Sequence, residues 1–130
     1  MRFLSIYKTA ETGVPPTTEH VVAMGKLIEE SMKAGELIAT EGCLPSAKGA
    51  RVRRAGGKVT VTDGPFTESK ELVAGFALLE APSKEAAIEM TRRFLDVAGD
   101  GECEIRQIFE APASGSAERV AALRDQFVTK

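Results

Sequence analysis

"TVTDGPFTESKELVAGFALLE" (residues 60–80) decides the fold. Its first residues alternate like a strand, Asp63-Gly64-Pro65-Phe66 breaks the alternation, and the nearly unbroken apolar run 72–81 that follows suits a strand buried between neighbours. Asp hydrogen-bonds forward to the backbone, Gly takes strained φ values, Pro fixes φ, and Phe66 offers an apolar anchor. The four residues therefore spell a rigid turn. Read functionally, they and the charged patch behind them set Asp63, Glu68, Lys70 and Glu71 at the mouth of a pocket, where closely spaced charges shift one another's pKa values.

Upstream, "RFLSIYK" (2–8) is a first strand with Leu4 and Ile6 on one face and Phe3 and Tyr7 on the other. Thr17 or Thr18 caps a helix whose Val21, Met24, Leu27, Ile28 and Met32 recur at spacings of three and four, and Gly35 stops it. "ELIATEGCL" (36–44) is a second strand, ended by Pro45. The runs on either side of Ala55-Gly56-Gly57 form a hairpin.

Downstream, Ser83 caps a second helix with Ala87, Met90, Phe94 and Val97 on one stripe, closed by "GDG" (99–101). "ECEIRQIFE" (102–110) is the last strand. The order β-α-β-(hairpin)-β-α-β is that of a ferredoxin-like α+β sandwich, β-α-β-β-β-α-β once the hairpin is folded into the count. Right-handed crossovers place both helices on one side of the sheet. The tail, from "APASGSA" onward, carries one short amphipathic helix with Val120, Leu123 and Phe127.

At 130 residues the chain holds one core. Hydrophobic residues at 43% and charged residues at 28% place it among ordinary globular proteins rather than disordered or fibrous ones. A net charge of −2 gives no pull toward nucleic acid, and no apolar run approaches the ~20 residues of a membrane span. The expected compartment is the cytoplasm. Cys43 and Cys103, sixty positions apart on strand-like segments, read as small buried hydrophobes in a reducing environment.

The helices roof one sheet face, and the strands are apolar on both. Phe3, Tyr7 and Phe76, or the opposite set, need a cover. At roughly 25 cal/mol per Å², several hundred Å² left bare forgoes on the order of 10 kcal/mol. A second sheet packed face to face in a two-fold homodimer supplies that cover, and the tail helix is the alternative.

The run "VTDGPFTESKELVAGFALLEA", with "AMGKLIEESMKAGELIATEGCLPSAKGARV" upstream and "GECEIRQIFE" downstream, resembles the DGPF group of the YCII-related family. The resemblance covers residues 1–111 and leaves 112–130 as a C-terminal tail. It implies a ferredoxin-like fold assembled as a dimeric α/β barrel, and it fixes no activity. Relatives studied as enzymes carry a His-Asp pair in a cleft, and some DGPF proteins are associated with or fused to sigma factors of the extracytoplasmic-function type.

His20, the only histidine, lies in roughly the region of the relatives' histidine; it is a general base if it meets Asp63 or Asp96, and otherwise a solvated first-turn residue. Tyr7, Thr40 and Glu41 are placed to line the same cleft as the Asp63 loop. Arg51, Arg53, Arg54 and Lys58 make a basic hairpin, either an anion site or a solubilising edge. No ligand spacing for a metal, no cofactor motif, no phosphate loop, no nucleophile elbow and no RNA-binding aromatic pattern occurs. The expectation is a small homodimer with no cofactor that binds a small polar ligand near Asp63. The alternatives are a protein-interaction module for a sigma factor and an enzyme using His20 with a carboxylate.

Overall fold

The computed structural model describes residues 1–110 and 116–128. The elements are β1 (Arg2–Thr9), α1 (Thr18–Lys33), β2 (Leu37–Gly42), β3 (Ala50–Ala55), β4 (Lys58–Asp63), β5 (Leu72–Glu80), α2 (Lys84–Ala98), β6 (Glu102–Gln107) and α3 (Ser116–Val128), with one 3-10 turn at Ser46–Lys48. Four strands form an antiparallel sheet in the order β2-β5-β1-β6, and β3 and β4 form a separate hairpin. This is the ferredoxin-like order, with the hairpin inserted between the second and third strands of the sheet.

Local chemistry sets the boundaries. The Thr17 side chain accepts from the His20 backbone N–H at 3.1 Å to start α1, and the chain leaves it through Gly35 at φ +74. Ser83 caps α2 in the same way, accepting from Ala86 at 3.1 Å. Gly56 and Gly57, at φ +58 and +79, make the tight hairpin turn a side chain would resist.

Register assigns the faces. Phe3 lies opposite Leu79, Ser5 opposite Ala77 and Ile105, and Tyr7 opposite Gly75 and Cys103. This row faces the helices: Tyr7 meets Phe94 of α2 edge-on, with ring centroids 5.2 Å apart. Leu4, Ile6, Phe76 and Leu78 share the other face, so Phe76 belongs with Leu4 and Ile6 and not with Phe3 and Tyr7. Toward β6 that face turns charged, with Lys8, Glu104 and Arg106 joined at 3.3 and 3.0 Å.

The core sits where α2 crosses β1 and β5. Phe3 is 2% exposed and Ala87 0%, with Leu79 and Ala81 buried beside them and Leu37, Met90 and Ile105 packed around. Helix α1 has no buried residue; its predicted stripe contributes only the half-buried Met24, Leu27 and Ile28, while Val21 and Met32 are exposed. Cys43 is exposed, not buried as its apolar segment suggests, because it lies just past the end of β2, an edge strand of the sheet.

The tail forms α3. Phe127 stacks edge-on against Phe109 at 5.1 Å, and Gln126 both accepts from the Glu110 N–H at 2.7 Å and donates to its carbonyl at 2.6 Å. These tethers run to the end of the last strand, and Phe76 on the open face remains 39% exposed.

Candidate functional site

A half-open cleft of about 1590 Å³ lies between α1 and the helix side of the sheet. Met24, Leu27 and Ile28 wall it on α1, Met90 and Phe94 on α2, and Leu37 on β2. Helix α2 approaches the sheet through small residues such as Ala87, whereas α1 presents the larger, half-buried Met24, Leu27 and Ile28 to the cleft.

Most polar groups around this cavity are already engaged. The Tyr7 hydroxyl donates to the Asp100 carbonyl at 3.0 Å, as does Thr9 Oγ1 at 3.0 Å, and Thr40 Oγ1 donates to the Phe76 carbonyl at 2.8 Å. Tyr7 fits only because residue 101 is glycine, since a Cβ there would lie 2.6 Å from its ring. Glu36 is paired with Arg93 at 3.1 Å.

His20 stands apart from that set. It lines the cavity from the first turn of α1, and its side chain forms no hydrogen bond or ion pair among the described residues, so it is free to meet a ligand. Glu41 also borders the cavity and is likewise unpaired among the described residues, but its register opposite Phe76 turns its side chain toward the open face of the sheet. Cys103 is a different case: burial pushes its thiol up, a hydrogen bond with Ser5 opposes this, and Glu102 adds to it.

The Asp-Gly-Pro-Phe turn is built as a clasp. The Gly64 N–H donates to the Gly49 carbonyl at 3.0 Å, and a Cβ at Gly64 would fall 1.7 Å from the Ser46 carbonyl oxygen. Close approach, not a positive φ, is thus what requires glycine here. The Phe66 N–H donates to Ser46 Oγ at 3.2 Å, and Ser46 in turn donates through its N–H and Oγ to the two Glu11 carboxylate oxygens at 2.6 and 2.9 Å. Glu11 lines the large cavity, so the clasp ends at the cavity's rim. Outside it, the Arg51 guanidinium lies 3.9 Å over the Phe66 ring, pairs with Glu68 and donates to Ser69 Oγ at 3.3 Å. Glu68's own backbone N–H, then Arg51, hold its carboxyl below the usual range.

The sequence-predicted residues therefore divide. Tyr7, His20 and Thr40 line the cavity, and Glu41 borders it. Asp63 lies exposed at the end of β4 opposite Ala50, Glu68 is paired with Arg51, and Lys70 and Glu71 are exposed. None of these four lines the large cavity or the 490 Å³ groove between Pro45, Arg51 and Phe66. Sequence reasoning missed Glu11 and Ser46, whose bonds join loops 35 residues apart that no local periodicity connects. Among the described residues, no three His, Cys, Asp or Glu side chains converge as a metal site, and no helix is long and apolar enough to cross a membrane.

Residues 1–112 match the YCII-related domain. The chain belongs to the YCII-related family. Over 61 residues, this YCII-related chain is 34% identical to an uncharacterized protein of Rhizobium meliloti (strain 1021). That match covers 47% of this chain and 49% of the relative, about half the length of each. By shape, the YCII-related chain is similar to the divalent cation tolerance protein (Cut A1) from Thermus thermophilus, at 16% identity and a TM-score of 0.37 over 94% of each chain. A likeness that distant carries no functional argument.

Proposed function

We propose that this YCII-related protein is a homodimer that binds a small organic molecule between α1 and the sheet. The cavity carries the reading: its walls are largely apolar, and His20 offers an unengaged imidazole on them. Such a site suits a ligand with an apolar body and one hydrogen-bonding end. The volume exceeds the ~300–1,000 Å³ usual for ligand sites, which leaves α1 room to settle onto its guest. Tyr7 shapes the wall, and Asp63, Glu68, Lys70 and Glu71 act on the ligand only through the loop that Ser46 and Glu11 tie to the rim.

The homodimer rests on the open sheet face, where Leu4, Ile6, Phe76 and Leu78 form an apolar strip that a second sheet covers. The two free thiols suit a reducing, cytoplasmic compartment.

A thermal-shift screen of small metabolites tests the site. Binders raise the melting temperature of the native protein, and Ile28→Trp, which fills the cavity from α1, abolishes the rise while leaving the fold intact. Stabilisation that persists undiminished in a folded Ile28→Trp protein places the ligand elsewhere and ends the cavity reading.

A further inference from the structure

Every residue of β3 and β4 is exposed, and among the described residues each strand has the other as its single neighbour. Two-stranded hairpins are marginal by themselves in water, and an open edge is a template for a further strand. The Gly56-Gly57 turn makes Ala55 and Lys58 a hydrogen-bonded pair, and the Gly64 N–H donating to the Gly49 carbonyl at 3.0 Å marks another at the far end. Alternation between these ends leaves the N–H and C=O groups of Ala50, Val52 and Arg54 pointing outward from β3, and those of Val59, Val61 and Asp63 outward from β4.

The two faces of the hairpin differ in chemistry. Register places Arg51, Arg53, Lys58, Thr60 and Thr62 on one face, and Val52, Val59 and Val61 with Arg54 on the other, the valines 70%, 57% and 64% exposed. Residues 42–62 carry Lys48, Arg51, Arg53, Arg54 and Lys58 and no acid, on a chain whose net charge is −2. Arg51 is answered by Glu68, whereas Arg53, Arg54 and Lys58 form no ion pair among the described residues. A flat partner, such as a bilayer or another sheet face, meets one face of the hairpin and leaves the other unanswered. Nucleic acid would use the cations and not the valines, and neither strand offers an aromatic ring for bases to stack on. A second copy of the hairpin is repelled by like charge along the same edge. A strand laid along the edge sets its alternate side chains beside both faces at once. Strand β3 is the more basic edge, with Arg51, Arg53 and Arg54, whereas β4 carries Lys58 and ends at Asp63. The base of β3 also opens on the 490 Å³ groove, where Ala50 and Arg51 meet Leu44, Pro45 and Phe66.

We propose that the free edge of β3 takes up an extended segment of a partner protein in which acidic and apolar residues alternate. The added strand bonds to the outward N–H and C=O of Val52 and Arg54, sets its acids beside Arg51 and Arg53, and lays its apolar side chains beside Val52. Where it passes Ala50 it runs on into the groove at Phe66. Neither the cleft ligand nor the homodimer is required for it.

Fluorescence anisotropy of a labelled heptapeptide alternating valine and glutamate tests this on the full chain, beside a valine–lysine heptapeptide and a single-stranded oligonucleotide, with circular dichroism to confirm folding of each variant. The native protein binds the glutamate peptide at least about tenfold more tightly than the lysine peptide. Arg53→Glu/Arg54→Glu, two exposed changes, reverses that order. Val52→Pro, which removes an outward N–H of β3 and no ladder bond, weakens glutamate-peptide binding by about tenfold, and Val61→Pro on the β4 edge leaves it unchanged. Absence of peptide binding, equal binding of the two peptides, an order unmoved by the arginine changes, or a Val52→Pro protein that binds like the native one overturns the edge site. Preference for the oligonucleotide makes the hairpin a phosphate surface, and a native dimer that dissociates in Val52→Pro on sedimentation equilibrium makes the occupant a second copy; either result overturns the proposal.

Discussion

Helices α1 and α2 lie on the same side of one sheet and both touch it, and only α2 carries fully buried residues. Helix α2 buries Ala87 and Thr91, the latter's hydroxyl donating to the Ala87 carbonyl at 2.8 Å, and closes over Phe3 and Leu79. Helix α1 buries nothing and roofs a cavity of about 1590 Å³. One half of the helical layer closes over the core, and the other lines the cleft. Small residues make the difference: an Ala at the crossing lets backbones approach, whereas the larger Met24, Leu27 and Ile28 are only half-buried along the cleft.

The sharpest way to break this contrast is a matched pair of truncations. Phe3→Ala empties a fully enclosed site and should cost about 3–5 kcal/mol in urea unfolding. Leu27→Ala removes a half-buried side chain at the edge of the cleft and should cost less, under about 1.5 kcal/mol. Equal losses would mean that α1 is as tightly seated as α2.

A smaller effect is expected at the clasp. Ser46→Ala removes the hydroxyl that donates to Glu11 and accepts from the Phe66 N–H, while the backbone N–H bond to Glu11 remains, a loss of about 1–3 kcal/mol. Hydrogen exchange should show faster opening around residues 64–69, with the α2 core amides unmoved. Uniform acceleration across both regions would show that the loop belongs to the same cooperative unit as the core.

The weakest effect is electrostatic. With its carboxyl held below its ordinary value by its own N–H and Arg51, Glu68 stabilises the folded state above pH 4.5, and this is lost as pH falls through the depressed value. The pair is solvent-exposed, so salt screens it and the change is small. An NMR titration should place the Glu68 midpoint below that of an unstructured glutamate, and Arg51→Ala should move it upward. A midpoint that ignores Arg51 would leave the backbone N–H as its sole cause.

Most of the fold could be read from the residues, because its signals are local. Thr17 and Ser83 mark helix starts, Gly35 and Gly99 helix ends, and Gly56-Gly57 a hairpin. The central place of 72–80 followed from its continuous apolar run. Alternation also separated Phe3 and Tyr7 from Leu4 and Ile6, but it could not align Phe76 with its neighbours across strands; register did that, and it turned Glu41 to the same side. The candidate site was less legible. His20, Tyr7 and Thr40 were named for reasons of residue chemistry, yet the space between them arises from how far α1 stands from the sheet, a distance that no periodicity encodes. Glu11 sits in "ETGVPPTT", which reads only as a break, and its role emerges from a contact with Ser46.

The fit of Gly64 against the Ser46 carbonyl has a bearing on how the Asp-Gly-Pro-Phe run should be used as a label. Any larger residue in that second position collides with main chain, so the tetrapeptide reports how two neighbouring loops are bolted together. As a search term it selects for that joinery, and it carries no information about activity.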